Sequence, residues 1–138
     1  MTENAHPDRL AKLARIREAG GDPYPARGVD AEPVADLLAA AGTPDEPGPR
    51  LGETVTVAGR IMGLRDFGKP IFSPVKDRTG RIQVGLQKGK LADWWPRRKD
   101  LDGGDLVGIT GELGHTQKGE PTIWATEVQL LGKAVAPP

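Results

Sequence analysis

Residues 69–86 read "KPIFSPVKDRTGRIQVGL", and this stretch predicts a β-hairpin. Apolar and polar residues alternate on both sides of "DRTG", a turn that ends at Gly80. A hairpin of this kind points its apolar residues inward. The remaining positions carry one aromatic ring, one amide and four bases, which together suggest a binding surface: Phe72, Gln83, Lys69, Lys76, Arg78 and Arg81.

The hairpin belongs to a longer β pattern. Alternating segments predict five strands, with a helix-containing connection at 89–101 between the third and the fourth; the strands are 53–68, 70–75, 81–87, 105–116 and 121–131. Gly59 and Gly111 lie in mid-strand, where a small barrel needs bends. Three strands, a helix and two further strands is the order of an OB-fold. We therefore predict a mainly β protein, a five-stranded OB-fold Greek-key barrel with an N-terminal helical extension.

The first fifty residues differ in pattern from the rest. The segments at 8–19, "DRLAKLARIREA", and at 32–42, "EPVADLLAAAG", predict two short helices. A breaker-rich linker, "TPDEPGPRLGE", follows at 43–53. We place the domain boundary there, with the helical extension and linker at 1–51 and the OB-fold domain at 52–138.

Composition narrows the class of protein. The chain has 138 residues, no cysteine and no apolar run near the roughly 18 residues of a membrane span, so we expect a soluble, cytoplasmic protein. Net charge is zero but unevenly spread. Residues 60–99 hold eleven Lys and Arg against three Asp and Glu, a net +8, and residues 100–127 hold one against six, a net −5. A basic half is typical of polyanion-binding proteins, and also of ordinary solvated surface.

The sequence contains no pattern typical of a catalytic or metal centre. His6 lies near the N-terminus, and His115 lies beside a predicted turn with no second histidine or cysteine nearby. No GxGxxG, GxxxxGK[ST] or GxSxG motif is present. We therefore predict no catalytic residue, no metal ligand and no cofactor in this chain.

A nucleic-acid site has more support. OB-folds bind single strands on the face of their second and third strands, with stacked aromatics and a basic groove. Antiparallel pairing can bring Phe72 and Gln83 together there, with Arg65 before the hairpin and Glu120 in the loop between the last two strands. A ring, an amide, an arginine and a carboxylate can form a base pocket.

Each of these residues also has a plainer interpretation. Phe72 could be a core aromatic, and Gln83 could be a solvated strand amide. We expect the tryptophans, Trp94, Trp95 and Trp124, to close the ends of the barrel rather than to bind bases.

Several segments together resemble the N-terminal anticodon-binding domain of class II lysyl-tRNA synthetase. They are "VAGRIMGLRDFGK" at 57–69, "DRTGRIQV" at 77–84, "KGE" at 118–120 followed by "TEVQLL", and the closing "KAVAPP". The lead-in "RLAKLARIREAGGDPYP" at 9–25 is similar to that family's first helix and joint. Aspartyl and asparaginyl synthetases share the barrel but usually lack this lead-in.

The resemblance implies a function and roles for residues. The family's domain is an OB-fold that binds the tRNA anticodon, UUU-type for lysine. By position, Phe72 stacks on the central anticodon base, Gln83 and Arg65 bind uridine edges, and Glu120 lies near the anticodon. We expect the phosphates of the RNA backbone to contact Lys69, Lys76 and Arg81. The parent enzyme would join lysine to its tRNA with ATP and magnesium, as a homodimer, and the isolated domain would be a monomer without catalytic activity.

Three positions depart from the family's usual pattern. Pro74 interrupts the second strand, Gly85 stands where a large residue is typical, and Gly114 stands where an aromatic is usual. The chain stops where that family's catalytic domain begins, which favours an excised domain over a free-standing protein. Two other functions stay open: a single-strand binder that tolerates any sequence, and a protein-interaction module that has lost RNA binding.

Overall fold

This computed structural model describes residues 31–66 and 70–134. These residues contain six strands and two short helices. The elements are α1 (Val34–Ala41), β1 (Thr54–Ile61), β2 (Arg65–Asp66), β3 (Ile71–Asp77), β4 (Gly80–Leu86), a 3-10 helix (Trp95–Asp100), β5 (Leu106–His115) and β6 (Pro121–Gly132). The helix predicted at 32–42 is confirmed as α1. The helix predicted at 8–19, Lys69 and the last four residues lie outside the described residues. Neither described helix is long and apolar enough to cross a bilayer.

The strands close into a barrel. Their order is β1-β5-β6-β4-β3-β2, and β1 also pairs with β3 through Arg60 and Lys76. All neighbours are antiparallel except β4 and β6, which run parallel. The first predicted strand consists of two pieces, β1 and β2, separated by residues 62–64. Counted as one, they leave five strands, and the predicted OB-fold is confirmed.

The hairpin of β3 and β4 separates its two faces by alternation. Ile71, Ser73 and Val75 of β3 are buried, as are Ile82 and Val84 of β4. The four apolar side chains among them belong to the barrel core. The alternate positions therefore point away from the core, and with the same positions of β6 they form what we call the outer face: Phe72, Pro74, Lys76, Arg81, Gln83, Gly85, Thr122 and Trp124.

The two mid-strand glycines lie where backbones come very close. A Cβ on Gly59 would lie 2.3 Å from the carbonyl oxygen of Lys76, at the seam where β1 meets β3. A Cβ on Gly111 would lie 2.2 Å from the carbonyl oxygen of Trp124, beside an irregularity in the register of β5 and β6. Any larger residue at either position would force the barrel open, so these glycines permit closure.

Pro74 leaves the pairing of β3 with β4 intact. Its carbonyl accepts a hydrogen bond from the Met62 N–H at 2.9 Å, on the side away from β4. The N–H and C=O of a residue in an antiparallel strand point to the same side. The missing donor of Pro74 therefore faces the break between β1 and β2, where the ladder is interrupted anyway.

The helix α1 packs against the barrel and is capped by the hairpin turn. Its Val34 and Leu37 are buried in the same core as the strands. The Val34 N–H donates to Asp77 Oδ2 at 2.9 Å, and the Ala35 N–H donates to Thr79 Oγ1 at 2.9 Å. Two orphan donors of the helix are thus satisfied by the "DRTG" turn, more than forty positions away in sequence. The boundary predicted near residue 52 stays a proposal.

We expect Asp77→Ala to lower the free energy of unfolding by about 1–2 kcal/mol, as loss of a helix cap does. Asp77 Oδ1 also accepts from the Thr79 N–H, the Thr79 hydroxyl and the Gly80 N–H, so the same change loosens the turn. Urea denaturation at pH 7 measures the loss. Asp36→Ala is the matched control, because Asp36 is an exposed acid in the first turn of α1 that caps nothing in the described structure.

The effect of Asp77 should depend on pH. Burial disfavours the charged carboxylate, but the Thr79 hydroxyl and the N–H groups of Val34, Thr79 and Gly80 outweigh it and lower the pKa of Asp77. A lowered folded-state pKa stabilises the protein above the unfolded pKa, near 3.8, and the contribution is lost as pH falls through the folded value. The difference between wild type and Asp77→Ala should therefore shrink below about pH 4; a constant difference down to pH 2 would contradict this.

Candidate nucleic-acid interface

The outer face is arranged in rows that cross the strands. In the first row Phe72 lies opposite Gly85, which lies beside Trp124. In the second, Pro74 lies opposite Gln83, which lies beside Thr122. In the third, Lys76 lies between Arg81 and Arg60. Rings, an amide and cations thus follow one another along a single surface of the barrel.

Two aromatic rings meet in the first row. The ring centroids of Phe72 and Trp124 are 5.7 Å apart, with an angle of 68° between the planes, and both side chains are half-buried. Phe72 alternates with the buried Ile71 and Ser73, so it lies on the outer face and not in the core. The expectation for Trp124 is wrong: it lies on the outer face instead of closing an end of the barrel. Trp95 is buried in the core, with Trp94 packed against it.

The amide of Gln83 is held in one orientation by a relay. The Thr122 hydroxyl donates to the Glu120 carbonyl at 2.9 Å, so its oxygen is left to accept. Gln83 Nε2 donates to that oxygen at 3.0 Å. Gln83 Oε1 has no partner among residues 31–66 and 70–134, and no unpartnered side-chain atom there is buried. The amide therefore presents a free acceptor to solvent, and its second N–H is not used within the described residues.

Glu120 lies in the turn between β5 and β6, next to that relay. Its backbone is fixed on both sides, because its carbonyl accepts from the Thr116 N–H at 3.0 Å and its N–H donates to Thr116 Oγ1 at 3.2 Å. The residue is exposed. The turn thereby places Glu120 at the edge of the outer face, two residues before Thr122.

The structure places the other predicted site residues as follows. Arg65 is opposite Phe72 in the pairing of β2 with β3, so the two backbones are adjacent. Lys76 and Arg81 face each other across β3 and β4 and are exposed. Lys69 lies outside the described residues. Backbone pairing thus brings Arg65, Phe72 and Gln83 to neighbouring positions of one sheet, with Glu120 joined to Gln83 through Thr122.

The third row brings like charges together. Arg60, Lys76 and Arg81 are successive neighbours across β1, β3 and β4, an arrangement that is destabilising by itself. Arg60 donates to the Gly104 carbonyl at 2.9 Å, and in the described part of the chain neither Lys76 nor Arg81 pairs with a carboxylate. An open groove of about 1000 Å³ is lined by Arg60, Lys76 and Arg78, and Glu32 and Asp77 line it as well. Such a row is ready to accept an anion.

Sequence reasoning missed two members of this surface, Trp124 and Arg60. The alternation along β6, with Ile123 and Ala125 buried, is a signal that Trp124 points outward. Arg60 gave no such signal, because only the barrel seam brings it beside Lys76. Within the described residues no group of three His, Asp or Glu side chains could hold a metal ion.

Comparison with known proteins agrees with this architecture. The tRNA anticodon family of OB-fold nucleic acid binding domains matches residues 55–131. Lysine–tRNA ligase of Roseiflexus castenholzii is 46% identical over 133 residues, which are 94% of this chain and 26% of that protein. Lysine–tRNA ligase 2 of Methanosarcina acetivorans is 38% identical over 129 residues, 92% of this chain and 25% of that protein. The chain thus spans about a quarter of these relatives' length.

A solved structure, OBody AM1L10 bound to hen egg-white lysozyme, has the same fold. It superposes with a TM-score of 0.62 at 27% sequence identity and covers 83% of this chain and 100% of its own. The barrel, its strand order and the sequence match over residues 55–131 lead to one assignment. The chain belongs to the tRNA anticodon family of OB-fold nucleic acid binding domains, and it matches that region of lysine–tRNA ligases.

Proposed function

We propose that this domain binds the anticodon loop of a lysine tRNA on its outer face. The observation that carries the proposal is the fixed amide of Gln83, which offers one acceptor and one donor beside the ring of Phe72. Uracil presents an N3–H donor between two carbonyl acceptors. A base stacked on Phe72 could therefore direct its edge to Gln83, as single-stranded RNA recognition requires. The preference for uridine rests on the similarity to lysine–tRNA ligases.

The cationic row supports a path for the phosphates. Lys76 is four residues from Phe72 along β3, a distance of about 13 Å in an extended strand. Lys76 and Arg81 would meet the backbone of the same loop whose base reaches Phe72, and Arg60 would add to their field. Arg65, in β2, Glu120, in the turn before β6, and Lys69 complete the proposed site.

Wider assignments belong to the same proposal. The domain would act within a cytoplasmic, homodimeric lysine–tRNA ligase that uses ATP and magnesium in another part of its chain. Residues 52–138 would form the anticodon-binding unit and residues 1–51 its helical extension. The names of the relatives support the lysine specificity. The basic stretch at 60–99, within a chain of zero net charge, supports a polyanion partner.

The test is a titration of the domain with two stem-loops, one carrying UUU and one with a changed central base, at two salt concentrations. Wild type should prefer UUU and bind more weakly as salt rises. Gln83→Ala should narrow the preference, since base contacts carry specificity. Lys76→Ala should weaken both loops about equally and lower the salt slope by about one, since it removes a phosphate contact.

Three results would each contradict a part or the whole of the proposed function. If Gln83→Ala weakened binding of both loops equally, Gln83 would not contribute to base specificity. Arg65 and Glu120 would then be the candidates for base recognition. Equal binding of UUU loops, poly(A) and single-stranded DNA by wild type would identify a sequence-tolerant binder. No salt-dependent RNA binding at all would favour a protein-interaction module.

A further inference from the structure

We propose that Trp124 is a second stacking surface, which holds the base next to the one on Phe72. This inference rests on the proposed function and adds a nucleotide to the site. Phe72 and Trp124 then act as two adjoining platforms for successive nucleotides of one single strand. Arg65, Gln83 and Glu120 serve the first of these bases, and the indole of Trp124 serves the second.

Two glycines make room for the indole on the sheet. A Cβ on Gly85, in β4, would lie 2.6 Å from Cε3 and Cζ3 of Trp124. A Cβ on Gly114, in β5, would lie 3.3 Å from Cδ1 and Nε1 at the other end of the ring system. The indole therefore spans from β4 to β5 across its own strand, and the missing side chains on both sides let it lie low on the sheet.

The indole remains accessible from outside. Trp124 is half-buried, although β6 places it between two neighbouring strands. Its N–H has no acceptor among the described residues, and no unpartnered side-chain nitrogen or oxygen there is buried, so this N–H reaches solvent. A tryptophan that only filled a gap would be expected to hide its ring and satisfy its donor. Here part of the indole and its donor reach solvent.

The geometry of the two rings suits a strand whose bases are splayed. Their planes differ by 68° and their centroids are 5.7 Å apart. Two bases that each stack on one ring would be unstacked from each other by a similar angle. Bases in single-stranded loops are recognised in this splayed state, each on its own aromatic side chain.

Charges of both signs lie around Trp124. The nearest acid across the ladder is Glu112, and Lys90 approaches its carboxylate at 4.0 Å. On the same face the cations Lys76 and Arg81 lie two rows away, without carboxylate partners in the described structure. A strand that crosses both rings can therefore reach a positive region for its phosphates.

The experiment compares Trp124→Leu with Phe72→Leu on four stem-loops: UUU, UUU with an abasic central nucleotide, and two UUU loops with an abasic nucleotide on the 5′ or on the 3′ side of the central one. With UUU, Trp124→Leu should weaken binding about 5- to 150-fold, the range for loss of one base stack. With one of the flanking abasic loops that loss should disappear, while it should persist with the central abasic loop. Phe72→Leu should show the reverse pattern.

Controls separate a specific effect from a general one. Trp94→Leu changes another half-buried tryptophan, which packs against the core and the ring of Trp95, and should leave all affinities unchanged. Gly85→Ala keeps every aromatic ring but displaces the indole of Trp124. It should therefore weaken binding of the UUU loop and leave binding of that same flanking abasic loop unchanged. Gly114→Ala, with its longer 3.3 Å approach, should do so less. Thermal melting of each variant verifies that it is folded.

The outcomes distinguish this inference from the function on which it rests. If wild type binds none of the loops, the proposed function fails. If wild type binds and Phe72→Leu behaves as expected, but Trp124→Leu has no effect or weakens all loops equally, then Trp124 is only a support for Phe72. Either of these last two results overturns the second platform and leaves the first intact.

Discussion

Replacing Asp105 by alanine is expected to lower the free energy of unfolding by about 2–5 kcal/mol, the cost of leaving two backbone donors without their buried acceptor. The Asp105 side chain is fully buried. Its carboxylate accepts from the N–H of Asp102 at 2.8 Å, the N–H of Ala134 at 2.7 Å and Lys133 Nζ at 2.8 Å. It therefore ties the start of β5 to the chain just after β6, and its loss would leave the N–H groups of Asp102 and Ala134 without an acceptor, while Lys133 would keep the Asp102 carboxylate.

Asp102→Ala is the matched control for this prediction. Asp102 Oδ2 also lies 2.8 Å from Lys133 Nζ, but its side chain is 70% exposed. An exposed pair contributes only about 0–1 kcal/mol, so this variant should be nearly as stable as wild type. Denaturant unfolding of both variants at pH 7 gives the comparison. Equal losses would mean that burial of the Asp105 carboxylate is not what stabilises the barrel end.

The choice of pH follows from Lys133. Burial disfavours its charged form, but Asp102 and Asp105 outweigh this and raise its pKa. A raised folded-state pKa stabilises the protein fully below the unfolded value, near 10.5, and the contribution is lost as pH rises through the folded pKa. Measurements near neutrality therefore report the whole contribution of the ion pair.

Local alternation explains why the hairpin could be predicted from sequence. In β3 the residues Ile71, Ser73 and Val75 occupy one side and Phe72 the other, and a period of two is visible without any knowledge of the fold. The turn "DRTG" was equally visible, because Gly80 and Asp77 suit it. The face that carries Phe72 and Gln83 followed from these two local signals.

Contacts between distant strands explain what could not be predicted. Gly85 and Gly114 are far apart in sequence, and they flank the same indole only because β6 lies between β4 and β5. Gly85 and Gly114 are departures from the usual pattern of the resembled family, but that pattern did not indicate that Trp124 covers both places. The role of Asp105 could not be predicted either, because in the sequence it is one of six acids in the negative stretch 100–127. Its ion-pair partner, Lys133, follows the last strand of the barrel, 28 residues further along the chain.

The second large effect is expected for Phe72→Ala. Stacking of one base contributes about 1–3 kcal/mol, so affinity for the UUU stem-loop should fall by about that free energy. Stability should fall by less than the roughly 3–5 kcal/mol of a core phenylalanine, because Phe72 is half-buried and lies on the outer face. Titration with the stem-loop and denaturant unfolding of the same variant measure the two quantities.

Ile71→Ala provides the opposite pattern on the adjacent residue. Ile71 is 7% exposed and belongs to the core, so its truncation should lower the free energy of unfolding by about 2–5 kcal/mol. The folded fraction should still bind the stem-loop normally, because the outer face keeps its side chains. A variant pair that exchanged these results, with Phe72→Ala unstable and Ile71→Ala unable to bind, would place Phe72 in the core. The proposed site would then lose its central ring, because neither Gln83 nor Arg65 could hold a base that has no surface on which to stack.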